Sequence, residues 1–141
     1  MKQELQPYIR KAHYYETDRM RVIHHSNYIR WFEEARVDYL DKIGLPYAKL
    51  EETGILIPVL AVNCEYLSPV IFDEQVLVTV KMTNFTGVKM TIDYEIKGAS
   101  SGILKVRGQS RHCFADASLK PIRLKRDFPD IYSGFERFLE V

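Results

Sequence analysis

Between Tyr28 and Ile43 apolar side chains return every three or four positions, as Tyr28, Phe32, Ala35, Tyr39 and Ile43, with Ile29, Arg36 and Leu40 beside them. That spacing predicts one long amphipathic helix. Ser26 suits its N-cap, and Gly44 suits the left-handed residue that follows a helix end. Ahead of it, the aromatic and β-branched run from Tyr8 to Tyr15 predicts a first strand, stopped by the polar break Glu16-Thr17-Asp18-Arg19. Leu45-Pro46 begins a short second helical piece through Glu52, and Thr53-Gly54 closes it.

Beyond Ile55 the period shifts to that of strands. From Ile57 to Leu67 apolar residues occupy both parities, which predicts a strand covered on both faces. Val76, Val78, Val80 and Met82 then alternate with Leu77, Thr79, Lys81 and Thr83. Asn84 to Gly87 turns the chain, and Val88, Met90, Ile92, Tyr94 and Ile96 bring it back as the second arm of an antiparallel hairpin. A last long strand from Ile103 to Ala115 sets Leu104, Val106, Ser110, His112 and Phe114 against Lys105, Arg107, Gln109 and Arg111. Pro121 to Leu124 adds a short end strand, and a brief helix ends near Phe138. One long helix must serve the whole sheet. The economical architecture is α+β, a curved antiparallel sheet wrapped around that helix, as a single domain over residues 1–141. One helix leaves the other sheet face bare, so self-association is expected to cover it.

Composition narrows the partners. A chain of 141 residues with 46% hydrophobic content supports one ordinary core. Twenty basic against nineteen acidic side chains give a net charge of +1, and no basic run points to nucleic acid or an anionic membrane. Met1 to Arg10 holds no apolar leader core, and no stretch approaches the roughly eighteen apolar residues that span a bilayer. A cytoplasmic location is the resulting expectation. Cys64 and Cys113 lie in strand-like apolar runs without a C-x-x-C partner, which predicts buried reduced thiols. His13, His24 and His25 with Asp18 lack metal-ligand spacing on a regular element, so no metal is expected.

Candidate chemistry gathers where the first strand passes into the long helix. Tyr14, Asp18 and His25 fall in a loop and at the helix start. The first amides of a helix have no internal acceptor and carry the positive end of its dipole, so they can stabilise an anion forming beside them. A carboxylate delivered by the preceding loop can act there as a general base on water or as a nucleophile on an acyl carbon. An aspartate before a helix is also commonly a cap or a solvated loop charge, and the residue types alone leave both readings open.

The run Tyr14-Tyr15-Glu16-Thr17-Asp18, followed by Val22-Ile23-His24-His25-Ser26-Asn27-Tyr28 and Arg30-Trp31-Phe32-Glu33-Glu34-Ala35-Arg36, resembles the signature of hotdog-fold acyl-CoA thioesterases. The branch it is most similar to is the 4-hydroxybenzoyl-CoA thioesterase-like one, which includes thioesterases associated with the Tol-Pal system. The resemblance implies hydrolysis of an acyl-CoA thioester without metal or organic cofactor, by a homodimer or homotetramer with its site between subunits. It places Asp18 on the catalytic carboxylate, Tyr14 and His25 on its flanking residues, and the His25 main-chain N–H on the oxyanion-hole donor. Asn27, Trp31, Lys89, Arg107 and Arg111 are candidate substrate contacts, the last three for phosphate; the Trp31-Phe32 pair reads as core or acyl-pocket wall. Glu33 and Glu34 lie where other hotdog families place their carboxylate, and at least one is read as a solvated or subunit-pairing charge. An enzyme acting on acyl carrier protein esters, or a silent acyl-CoA-binding protein, is the alternative. One departure is Arg21, where the family usually carries glycine. Glycine permits backbone angles that arginine adopts only at a cost, which predicts a loop turned differently here.

Overall fold

The structure is a computed structural model that describes residues 4–140; Met1 to Gln3 and Val141, the ends of the expected domain, lie outside the described residues. The chain runs β1 (Tyr8–Lys11), α1 (Ser26–Lys42), α2 (Tyr47–Glu52), β2 (Val59–Tyr66), β3 (Gln75–Phe85), β4 (Lys89–Gly98), β5 (Leu104–Cys113), α3 (Leu124–Asp127) and α4 (Pro129–Glu136). The strands form one antiparallel five-stranded sheet in the order β1-β3-β4-β5-β2, with α1 packed on one face. This is the α+β arrangement that the periodicities predict.

The predicted helix face is the observed one. Tyr28, Phe32, Ala35, Tyr39, Leu40 and Ile43 are buried, while Ile29 stays exposed on the solvent side. His25 rather than Ser26 is the capping residue, because the His24 ring takes over the polar work: its Nδ1 accepts the Ser26 amide at 3.2 Å. Gly44 follows with φ +82°, the left-handed angle foreseen for it. Phe32 stacks flat on Tyr94 of β4, ring centroids 4.4 Å apart. Gly108 of β5 makes room for that contact, since a Cβ there would meet Phe32 and the Asn63 carbonyl oxygen at 2.5 Å. Gly108→Ala should therefore cost about 3 kcal/mol and lower the thermal midpoint by roughly 10 °C, measured by calorimetry.

Four expectations need correction. β1 ends at Lys11, not Tyr15, because the Glu16 carboxylate accepts the His13 amide at 2.9 Å and draws Tyr14–Glu16 into a 3-10 turn. β2 is not covered on both faces; it is an edge strand, and Val59, Leu60 and Tyr66 remain 51%, 52% and 50% exposed. Lys105, expected on the outer face, is buried beside Glu74 at 3.4 Å and donates to the Pro69 carbonyl at 3.1 Å. Pro121 makes only an isolated bridge to Ala115, and Leu124 opens α3 instead of ending a strand. Cys64 and Cys113 are free thiols, half-buried.

Under α1 a polar chain crosses the core. Arg36 donates to the Tyr94 hydroxyl at 2.9 Å, Tyr94 meets Ser110 at 2.6 Å, and Ser110 meets His112 Nε2 at 2.7 Å. His112 is fully buried and its Nδ1 has no hydrogen-bond partner among the described residues. Burial first, then the Arg36 charge, push its pKa from the ordinary 6.5 down to about 4; the carbonyls of Ile57 and Pro58 partly oppose this. The ring is thus folded-neutral and easier to protonate when unfolded. Its contribution to stability is complete above pH 6.5 and drains away as pH falls toward 4, by about 3 kcal/mol. Urea midpoints of a His112→Gln variant should fall less steeply than the parent's across that window.

Candidate active site

The candidate residues stand on a small hairpin that feeds α1. Thr17 bridges Ile23, the Asp18 amide donates to the Val22 carbonyl at 2.9 Å, and the Arg21 amide returns to the Asp18 carbonyl at 3.1 Å. Arg21 at the tip has φ +65°, a left-handed angle that costs a side chain about 1 kcal/mol. The arginine takes the glycine-like conformation itself, so the departure at this position does not force a different turn. The far strand of the hairpin is tied to the sheet connection after β2, through Ile23 N–H to the Val70 carbonyl at 2.8 Å and a bridge from Val22 to Ile71.

Asp18 is half-buried, and its Oδ1 accepts the Met20 amide at 2.7 Å. That bond fixes the carboxylate and leaves its other oxygen without a protein donor among the described residues. His25 presents a main-chain N–H that likewise has no acceptor among the described residues, at the positive end of α1. Its ring stacks on His24 at 4.3 Å and meets the edge of Tyr66 at 5.9 Å. Asp18 and His25 open on one cleft of about 580 Å³, walled by Met20, Ile23, Tyr28 and Tyr66. The Tyr28 hydroxyl is held by the Val70 amide at 3.3 Å, and burial raises its pKa, so it stays neutral. Asp18 and His25 thus line one cleft together with an apolar wall.

The other candidates are placed differently. Tyr14 stands outside the cleft, 70% exposed, against Phe72 at 5.4 Å. Asn27 is buried and spends its Nδ2 on the carbonyls of Glu16 and His24. Trp31, read as core or acyl-pocket wall, is 0% exposed and lies in the core. Lys89, Arg107 and Arg111 lie on β4 and β5 facing away from α1, and none lines the cleft. Arg107 pairs with Glu65 at 3.2 Å on the rim of a polar hollow of about 360 Å³ on that outer face. The residues that line this hollow all lie on strands, so no helix N-terminus faces it. Glu33 is exposed, and Glu34 is engaged by Arg10 and Tyr8; neither lines the cleft. Among the described residues, no group of His, Cys, Asp or Glu side chains is arranged to hold a metal ion, and no helix is long and apolar enough to cross a membrane.

The residue that sequence reasoning missed is Glu16. Read as part of a polar break, it is instead 3% exposed and bound to Arg10 at 2.5 and 3.0 Å and to Trp31 Nε1 at 2.9 Å. Burial works against its charge, yet the bonds from Arg10, Trp31 and the His13 amide outweigh that and hold its pKa below the ordinary carboxylate value. The available signal was Trp31 itself, because a buried indole N–H needs an acceptor.

Comparison with known proteins bears on the same residues. A family model described as the thioesterase-like superfamily matches residues 13–132. A Bacillus subtilis (strain 168) protein provisionally named as an acyl-CoA thioesterase, YneP, is 31% identical over 90% of this chain and 92% of its own length. The solved DHNA-CoA thioesterase of Staphylococcus aureus superposes with a TM-score of 0.88 at 35% identity, covering 94% of this chain and 89% of that one. A hypothetical protein from Thermus thermophilus gives 0.86 at 30% identity, over 95% and 99%. With the signature around Asp18, the sheet curled on α1 and a family match over most of its length, this chain belongs to the thioesterase-like superfamily and has its hotdog fold.

Proposed function

We propose that this protein is an acyl-CoA thioesterase, hydrolysing the thioester to a free acid and CoA, with Asp18 as the acting carboxylate. The observation that carries the reading is that Asp18 and His25 line one apolar cleft, the one with a carboxylate oxygen and the other with a main-chain N–H left without a partner among the described residues. As general base, Asp18 takes a proton from water while the water oxygen bonds to the acyl carbon. The carbonyl oxygen gains negative charge, which the His25 N–H stabilises. Collapse breaks the carbon–sulfur bond, the thiolate leaves with CoA, and the proton passes on to thiolate or solvent. As nucleophile, Asp18 bonds to the acyl carbon directly while the carbon–sulfur bond breaks and CoA leaves as thiolate, and water then cleaves the mixed anhydride to free acid and the restored Asp18 carboxylate. Both routes use only this chain's groups and water.

The working form is a homo-oligomer, dimer or tetramer. β2 supports this, as an edge strand with exposed apolar side chains, Tyr66 among them on the cleft, that invite a second copy. The acyl group enters beside Tyr28 and Tyr66, and Lys89, Arg107 and Arg111, which do not line this chain's own cleft, serve the CoA phosphates from a neighbouring subunit. The protein acts in the cytoplasm. Thiol release from short, long and aromatic acyl-CoAs tests the activity. Turnover of at least one supports the reading; hydrolysis confined to acyl carrier protein esters, or binding without turnover, overturns it.

A further inference from the structure

The two groups proposed to act on the thioester sit on separate arms of the chain, and both arms are fastened to Glu16. Its carboxylate accepts from the His13 amide at 2.9 Å, from Arg10 at 2.5 and 3.0 Å, and from Trp31 Nε1 at 2.9 Å. Its carbonyl oxygen accepts from the His24 amide at 2.8 Å and from Asn27 Nδ2 at 3.0 Å. One residue therefore joins β1, the 3-10 turn and the opening of α1. Two positions along one arm stands Asp18; next to His24 on the other stands the His25 amide. Arg10 is itself held in place, by Glu34 at 3.0 Å and by the Trp31 ring, whose centroid lies 4.9 Å below the guanidinium.

Stability alone is a poor account of this cluster. A buried ion pair is often no more stabilising than apolar side chains of the same volume. What a forked, fully hydrogen-bonded pair supplies is direction, because each bond restricts where the next atom can lie. A displacement of about 1 Å between reacting groups is enough to lower a rate about a hundredfold. We infer that Glu16, oriented by Arg10 and Trp31, is the positioning residue of this site: it sets the Asp18 carboxylate against the His25 amide without touching the substrate. This role rests on the proposed function of Asp18.

Steady-state kinetics of Glu16→Gln and Trp31→Phe test it, with folded content followed by circular dichroism. Glu16→Gln puts an amide where Arg10 needs an acceptor, and kcat should fall tenfold to a hundredfold, roughly. KM should stay within about twofold, since the cleft walls are untouched. Trp31→Phe keeps an aromatic ring, though a smaller one, and removes one donor to Glu16, so its kcat should fall by a smaller factor, again at steady KM. If Glu16→Gln does not fold, Trp31→Phe alone decides. A folded variant with parental kcat, or a loss that merely follows the folded fraction, overturns the role. Asp18→Asn is measured in parallel. Parental activity in it removes the proposed function of Asp18 and the positioning role together. An inactive Asp18→Asn beside fully active Glu16→Gln and Trp31→Phe removes the positioning role alone.

Discussion

Asp18→Asn should lower kcat for acyl-CoA hydrolysis by a hundredfold or more, the usual scale for losing a general base. The amide has the shape of the carboxylate and keeps an oxygen to accept the Met20 amide, now 2.7 Å away. The loop, the cleft and KM should therefore change little. What disappears is the ability to take a proton from water or to attack the acyl carbon. A residual rate is expected, because the His25 N–H remains free to stabilise the oxyanion. Thiol release at saturating substrate measures the loss directly. Full activity in the variant would move the chemistry to another carboxylate, with Glu33 and Glu34 the next to replace.

Arg10→Ala should reduce unfolding free energy by about 3–5 kcal/mol, the range for removing one partner of a buried ion pair. Arg10 and Glu16 are 8% and 3% exposed, so solvent offers the stranded carboxylate almost nothing. The size of the effect should depend on pH. In the parent the folded pKa of Glu16 lies below the ordinary 4.5. The stability it contributes is present above 4.5 and lost as pH falls through the folded value. Without Arg10 the burial that already opposes ionisation becomes dominant, the folded pKa rises, and protonation then relieves the variant. The gap between parent and Arg10→Ala should narrow as the solution is acidified from pH 7 toward 4. His112 titrates in both proteins across that range and cancels in the difference. Urea unfolding at several pH values measures the gap; one below 1 kcal/mol at neutral pH, or one that widens in acid, contradicts the account.

The two predictions draw on different kinds of information. The places of Asp18 in the loop ahead of α1 and of His25 at the helix start were legible because both are local features of the chain. The α1 face was legible for the same reason, since Tyr28, Phe32, Ala35, Tyr39 and Ile43 record a period that one helix can satisfy alone. The β3–β4 hairpin likewise followed from alternation in adjacent segments, and Val78 does oppose Ile96 and Met82 oppose Ile92 in register.

Glu16 was not legible in this way. A glutamate beside Thr17 and Asp18 looks solvated, and only Arg10 from β1 and Trp31 from α1, arriving from both sides, make burial possible. β2 misled for a related reason. Apolar residues on both parities announce that two faces want covering, yet a single chain supplies only one neighbour, β5, and leaves Val59, Leu60 and Tyr66 exposed. The chain order of residues thus determined the periodic elements, the α+β class and the motif that carries Asp18. Tertiary structure alone decided which charge is buried, which strand lies at the edge and which side chains wall the cleft. Those outcomes depend on partners distant in sequence, and a local period holds no information about them.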